Sequence, residues 1–230
     1  VVPAGEVAGV LSEEGAGVLD PKGRISPGLE VCPPEGDAGT GMIATNAIKP
    51  KSANVSAGTS IFAMIVLEEA LSKAHEEIDL VMAPSGSAVA MVHSNNGTSD
   101  FDAWTRVLLE AGRLLGAEVS DTEAIGLFMN QALKADPDAG GLLSYGYVSG
   151  EHLTGFSEGR PLFVRKPDSP FILGNFVRAH LFGALGALRM GLEILTEQEG
   201  VKVDAVSGHG GFFKTPEVGQ RMLAAAMETP

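Results

Sequence analysis

Two kinds of apolar pattern divide this chain. Between Asn54 and His93 the apolar residues form short runs separated by polar turns. Asn54–Ser56, Ile61–Leu67, Ile78–Met82 and Ala88–His93 are predicted strands, and Ser56–Ser60 and Ser85–Ser87 are predicted turns. Beyond Asn95 the period lengthens. Trp104, Val107, Leu108, Ala111 and Leu115 recur at helical spacing in a helix expected over Phe101–Leu115. Ile125, Phe128, Met129 and Leu133 do the same over Asp121–Lys134. Phe171–Gln198 is the longest helical stretch. It is apolar nearly all round, so it is expected to be buried between layers and to end at Gly200. Val201–Val206 reads as a strand, Ser207–Gly211 as a glycine turn and Glu217–Met227 as a final helix.

The first fifty residues carry less pattern. Glu13–Leu19 is a short helical stretch, and Leu29–Cys32 is a short strand broken by Pro33-Pro34. A helix over Gly39–Ala47 follows, stopped by Lys49-Pro50-Lys51-Ser52. Strands first, then helices alternating with strands, imply an α/β domain: a mixed sheet covered by helices.

The chain has 230 residues, 44% of them hydrophobic and 20% charged, which is globular rather than disordered. No apolar run is long and uncharged enough to span a bilayer: Phe171–Leu195 contains Arg178, His180, Arg189 and Glu193. A net charge of −13 repels nucleic acid and anionic membrane, so neither is expected as a partner. A nucleotide would need backbone amides, a lysine or a metal ion to bind such a surface. The single cysteine, Cys32, excludes an internal disulfide, fits a reducing, cytoplasmic setting, and is read as a structural residue. His75, His93, His152 and His180 lack metal-ligand spacing, so no metal ligands are assigned; Trp104 is read as core. Both ends look cut. Val1 begins inside an apolar segment and Pro230 stops where another strand could follow, so the chain is expected to be part of a longer protein.

Three segments carry candidate chemistry. Glu35-Gly36-Asp37-Ala38-Gly39-Thr40-Gly41 sets one carboxylate in a glycine-rich turn at a helix start. Ser56-Ala57-Gly58-Thr59-Ser60 is a tight turn rich in hydroxyls. An acid in such a place can accept a proton from an attacking hydroxyl, and such a turn can offer N–H groups to phosphate oxygens. Taken singly, a plain explanation covers each: Asp is a favoured N-cap, and the second segment makes an ordinary hairpin turn. The third, Ser207-Gly208-His209-Gly210-Gly211, ends a strand and precedes Lys214 and a helix bearing Gln220. It has neither dinucleotide-fingerprint nor P-loop spacing.

In order and separation these segments resemble the C-terminal half of the FGGY family of carbohydrate kinases. Gly5–Leu11 looks like the end of the family's first domain. Gly28–Cys32 with Gly36-Asp37-Ala38 resembles the approach to its catalytic aspartate, and Ser56–Ser60 resembles its second phosphate turn. Gly208–Gly211 with Gln220 is similar to its adenosine motif. Asn175–Ala179 partly matches the family's long-helix signature, which continues to an acidic residue where this chain has Phe182; His209 interrupts the adenosine turn. The resemblance implies an actin-like ATPase (ribonuclease H-like) domain. Residues 1–34 would be the end of an N-terminal domain and hinge. Residues 35–230 would be an ATP-binding domain incomplete at its C-terminus.

It further implies ATP-dependent phosphorylation of a sugar hydroxyl, with a lean towards a ketopentose such as xylulose. Asp37 would be the general base. Gly58, Thr59 and Ser60 would meet the phosphates, and Gly210, Gly211 and Gln220 the adenosine. Mg²⁺ would bridge the phosphates, held mostly through water. The implied partners are the sugar and the missing N-terminal domain, with homodimerisation open. The rival reading is a nucleotide-binding sensor or scaffold of the same architecture, which would not need the Asp37 carboxylate.

Overall fold

A computed structural model describes residues 2–228. Val1, Thr229 and Pro230, the ends on which the expectation of a cut chain rested, lie outside the described residues. The centre is a five-stranded mixed sheet of β3 (Ser52–Ala57), β4 (Ile61–Val66), β5 (Asp79–Met82), β6 (Ala88–Ser94) and β9 (Ala205–His209), ordered β5-β6-β4-β3-β9. β3 and β9 are parallel, and every other pairing is antiparallel.

Alternation along the strands assigns two faces. Ala53, Val55 and Ala57 of β3, Ala63 and Ile65 of β4, and Ala90 and Val92 of β6 enter the main core. Met64, Val66 and Val89 turn the other way and form a second cluster around Met42 of helix α2 (Asp37–Ala44). The main core is completed by α3 (Ser99–Leu114), α4 (Asp121–Gln131), α5 (Leu173–Glu193) and α6 (Val218–Met227). α5 is buried over most of its circumference, as its sequence predicts. Its glycines permit the close packing: a Cβ on Gly174 would press on the Gln131 carbonyl, and one on Gly183 or Gly191 would overlap Ser144 or Val92. Leu185, Leu188 and Leu192 are buried on it, and truncating such a leucine to alanine costs about 2–5 kcal/mol. Asn175, also buried, holds the α4–α5 connection. It accepts from the Asp136 N–H and donates to the Asp136 carboxylate and the Pro170 carbonyl.

Outside the sheet, β1 (Gly9–Val10) and β2 (Glu30–Val31) pair around α1 (Glu13–Leu19), and β7 (Leu143–Tyr145) pairs with β8 (Leu162–Val164) in an exposed ribbon. No helix of the described residues is long and apolar enough to cross a membrane.

The main departures from the predicted elements have identifiable causes. α2 begins at Asp37 and ends at Ala44, not Gly39–Ala47. At its end Asn46 is left-handed (φ 56°), and the Asn46 and Ala47 N–H groups fold back onto the carbonyls of Ile43 and Met42. The strand expected over Val201–Val206 lies instead at Ala205–His209. Pairing with β3 runs from Ser52↔Ala205 to Ser56↔His209, so much of the predicted glycine turn is strand. α4 tightens into a 3₁₀ turn at Ala132–Lys134, and α5 widens into a π turn at Ile194–Gln198 before Gly200 (φ 66°) ends it. Trp104 is 37% exposed rather than core; it caps an aromatic cluster, its ring 5.2 Å from that of Phe176. Cys32 is exposed, so it has no packing role.

Candidate functional site

The C-terminal ends of parallel β3 and β9 lie side by side, and antiparallel pairing brings the start of β4 and the end of β6 to the same end. Three chain reversals therefore converge there. The β3–β4 turn is closed by the Gly58 N–H on the Ser60 carbonyl (3.0 Å). The β6–α3 loop docks on it through Gly97 N–H to the Thr59 carbonyl (2.7 Å) and Thr98 N–H to the Gly58 carbonyl (3.0 Å). The turn after β9 docks from the other side. Gly210 (φ 105°) lies so close to Ala57 that any Cβ would overlap its carbonyl.

The glycines here serve two different purposes. Gly97, Gly208 and Gly210 are required by the chain itself: a side chain would strike Gly58, the Phe213 ring or Ala57. Gly58 and Gly211 are not, because a Cβ on either would point into open space. Those are the directions from which a ligand could approach the backbone closely. Among the described residues no acceptor meets the Thr59 N–H.

Beside the turns lies a cavity of about 430 Å³ between α3, α4 and the turn after β9. Gly211, Phe212, Lys214 and Thr215 form one wall; Thr98, Asp102 and Asn130 are among the residues opposite. Thr98 joins the cavity to the β3–β4 turn, and its hydroxyl donates to Asp102 (3.2 Å). Burial pushes the Asp102 carboxyl above the usual carboxylate range, against the lowering effect of that bond and of Arg106. Lys214 places a positive charge on a wall of this acidic protein.

Asp37 stands in the first turn of α2, exposed, its Oδ1 accepting from the Ala38 N–H (2.9 Å). The N-cap is Gly36, so Asp37 does not cap this helix by the usual route. α2 runs antiparallel to β3: Thr45 meets Asn54 near the middle of β3, and Gly41 meets His209 at the end of β9. The helix start, with Asp37, thus lies at the sheet end where the three turns converge.

The structure therefore brings Asp37, Gly58, Thr59, Ser60, Gly210 and Gly211 to one end of the sheet. Gln220 is exposed on α6 and is not part of the cavity wall. Thr98, Asp102 and Asn130 were missed by sequence reasoning; Asn95–Asp100 signalled only a helix start. The remaining histidines are structural in their contacts. His75 donates to Glu199 (2.5 Å), His180 is buried with Nδ1 donating to the Phe176 carbonyl (2.8 Å), and the His93 and His152 rings lie 6.1 Å apart. Among the described residues no group of three or more His, Cys, Asp or Glu could hold a metal ion.

The mixed sheet with helices on both faces matches the actin-like ATPase fold of solved sugar kinases. The chain belongs to the FGGY family of carbohydrate kinases, whose C-terminal domain matches residues 53–230. Among solved structures, a xylulose kinase from Rhodospirillum rubrum superposes with a TM-score of 0.76 at 18% identity, over 99% of this chain and 43% of that one. A gluconate kinase from Lactobacillus acidophilus gives a TM-score of 0.72 at 18% identity, with the same 99% and 43% coverage. A glycerol kinase from Plasmodium falciparum with ADP gives 0.65 at 14% identity, over 88% of this chain and 39% of that one. The chain thus spans less than half the length of these kinases. No curated protein matches it in sequence.

Proposed function

We propose that this chain is the nucleotide-binding and base-bearing half of an ATP-dependent sugar kinase. The observation that carries the reading is the convergence of Asp37 with the β3–β4 and Gly210–Gly211 turns, beside a cavity of nucleoside size whose nearby Gly58 and Gly211 leave their Cβ directions open. In this reading Gly58, Thr59 and Ser60 face the β- and γ-phosphates. Gly210 and Gly211 bound the adenosine side, with Lys214, Thr98 and Asp102 on the cavity walls. Gln220, outside the cavity wall, would meet adenosine only at its margin.

In the reaction, a sugar hydroxyl oxygen bonds to the γ-phosphorus, the bond from that phosphorus to the β–γ bridging oxygen breaks, and ADP leaves. Asp37 takes the hydroxyl proton. A carboxylate suffices as base when the nucleophile is held in line, because positioning supplies most of the rate. Mg²⁺ would arrive with ATP rather than be held by a cluster of protein ligands, none being present among the described residues, and it would supply dispersal of phosphate charge.

The substrate proposed is a ketopentose such as xylulose, in keeping with the FGGY family and with a fold shared with a xylulose kinase. In this reading residues 1–34 would form the end of a first domain and hinge, and 35–230 an ATP-binding domain incomplete at its C-terminus. Sugar contacts and the opposite phosphate wall would come from that first domain, since this chemistry needs both sides closed over the reactants.

The test is ADP release by the intact protein with Mg-ATP against ketoses, aldoses and polyols. Stimulation by one ketopentose is expected. Nucleotide binding with no stimulation by any sugar would instead establish the sensor or scaffold reading.

A further inference from the structure

His209 ends β9, and its ring lies on the α2 side of the sheet. Its Nε2 donates to the Asn54 Oδ1 (3.2 Å), and Asn54, fully buried on β3, donates through Nδ2 to the Thr45 hydroxyl of α2 (2.6 Å). Ser207, the neighbouring β9 residue on that face, donates to the Thr45 carbonyl (3.4 Å). The imidazole also sits directly under α2: a Cβ on Gly41 would lie 2.7 Å from Nε2, so the helix has a glycine where the ring meets it. On the chain's other side His209 is followed at once by Gly210, packed on Ala57, and by Gly211 at the cavity wall.

We propose that His209 is a positioning residue that couples nucleotide occupancy of the Gly210–Gly211 turn to the placement of α2, and hence of the Asp37 carboxylate. The inference rests on the reading of Asp37 as the base. Its mechanism is short. A ligand that seats against Gly210 and Gly211 fixes the backbone at the end of β9. That backbone carries the imidazole, and the imidazole bears on Gly41, one helical turn from Asp37. α2 is only 8 residues long, with Gly39 and Met42 as its buried residues, and Gly41 is separated from Asp37 by a single helical turn, so a shift at Gly41 has a short path to the carboxylate. A ligand shifts such an element only if it binds one placement better than another. In the proposal, nucleotide binds best to the placement in which His209 reaches Asn54 and bears on Gly41, and the exchange experiment reads that preference.

The variants are His209→Leu, which removes the donor at similar bulk, and His209→Gln, which restores an N–H donor. In the intact protein, hydrogen exchange of the α2 peptide is followed with and without saturating Mg-AMP-PNP, alongside kcat and KM for ATP and sugar. Slower α2 exchange on nucleotide binding is expected in the unaltered protein and in His209→Gln, and no change in His209→Leu. His209→Leu is expected to lose about 10–100-fold in kcat, the scale of a small misplacement of a catalytic group, with KM for ATP little changed. Equal nucleotide protection of α2 in His209→Leu, or a loss confined to thermal stability, overturns the coupling and leaves the kinase reading standing. If the unaltered protein binds nucleotide but phosphorylates no sugar, the kinase reading fails, and the exchange experiment alone decides the coupling. Failure to bind nucleotide overturns both.

Discussion

Gly58→Ala separates what the fold requires from what a ligand requires. Apart from its two chain neighbours, the added methyl group meets no atom within 4 Å, and the Gly58 φ lies outside the left-handed range. The folded state therefore accepts it, and the less flexible unfolded chain makes the variant equal or more stable by up to about 1 kcal/mol. If phosphate oxygens approach the β3–β4 turn, the methyl group occupies their path. Losing one charge-assisted hydrogen bond to phosphate costs about 1.5–3 kcal/mol, which weakens ATP binding by about 10- to 150-fold. Gly97→Ala is the control, because its Cβ would overlap the Gly58 carbonyl, and it should lower stability itself. The assays are isothermal titration with Mg-AMP-PNP and thermal melting. A Gly58→Ala protein with an unchanged melting temperature and unchanged nucleotide affinity would refute the phosphate assignment.

Three further variants probe other side chains. Asp37→Asn should cut sugar-dependent turnover in the intact protein by about 10²–10⁴-fold while ATP affinity, read by titration, stays near normal; undiminished turnover removes Asp37 from the mechanism. Glu151→Ala should lower stability by about 1–3 kcal/mol in denaturant titrations, because the buried carboxylate accepts from the Ser94 hydroxyl (3.1 Å) and the Asn96 N–H (3.2 Å) and Nδ2 (3.0 Å). The Asn96 bonds brace the loop that docks Gly97 and Thr98, so a stable variant with native nucleotide affinity would dismiss the brace. Glu199 is held at a pKa of about 2, below its ordinary 4.5, by the His75 ring N–H first and the Ser72 backbone N–H next. Its folded pKa is depressed, so its stabilisation is full above about 4.5 and is lost as pH falls towards about 2. Glu199→Gln should therefore melt lower than the unaltered protein at pH 7, with the gap closing across that window; a gap independent of pH counts against these hydrogen bonds to the carboxylate.

What the sequence determined by itself was local. The apolar runs Ile61–Val66 and Ala88–Val92, set between polar turns, marked β4 and β6 as strands. The apolar circumference of α5 required burial whatever covered it, and the order of the glycine segments was enough to indicate the family. Tertiary structure decided the rest, because it depends on partners far along the chain. β9 starts at Ala205 rather than Val201 because its pairing with β3, some 150 residues earlier, sets which residues become strand. Which glycines the fold needs was equally invisible: Gly97 and Gly210 are held by the carbonyls of Gly58 and Ala57, while Gly58 itself faces open space. Thr98 and Asp102, read only as the start of α3, become cavity wall because the β6–α3 loop docks on the β3–β4 turn. His209, an interruption of a motif in the sequence, is placed by that parallel pairing against Gly41 of α2. Periodicity records which face of an element is apolar; it carries no record of which backbone will come within a methyl group's breadth of another.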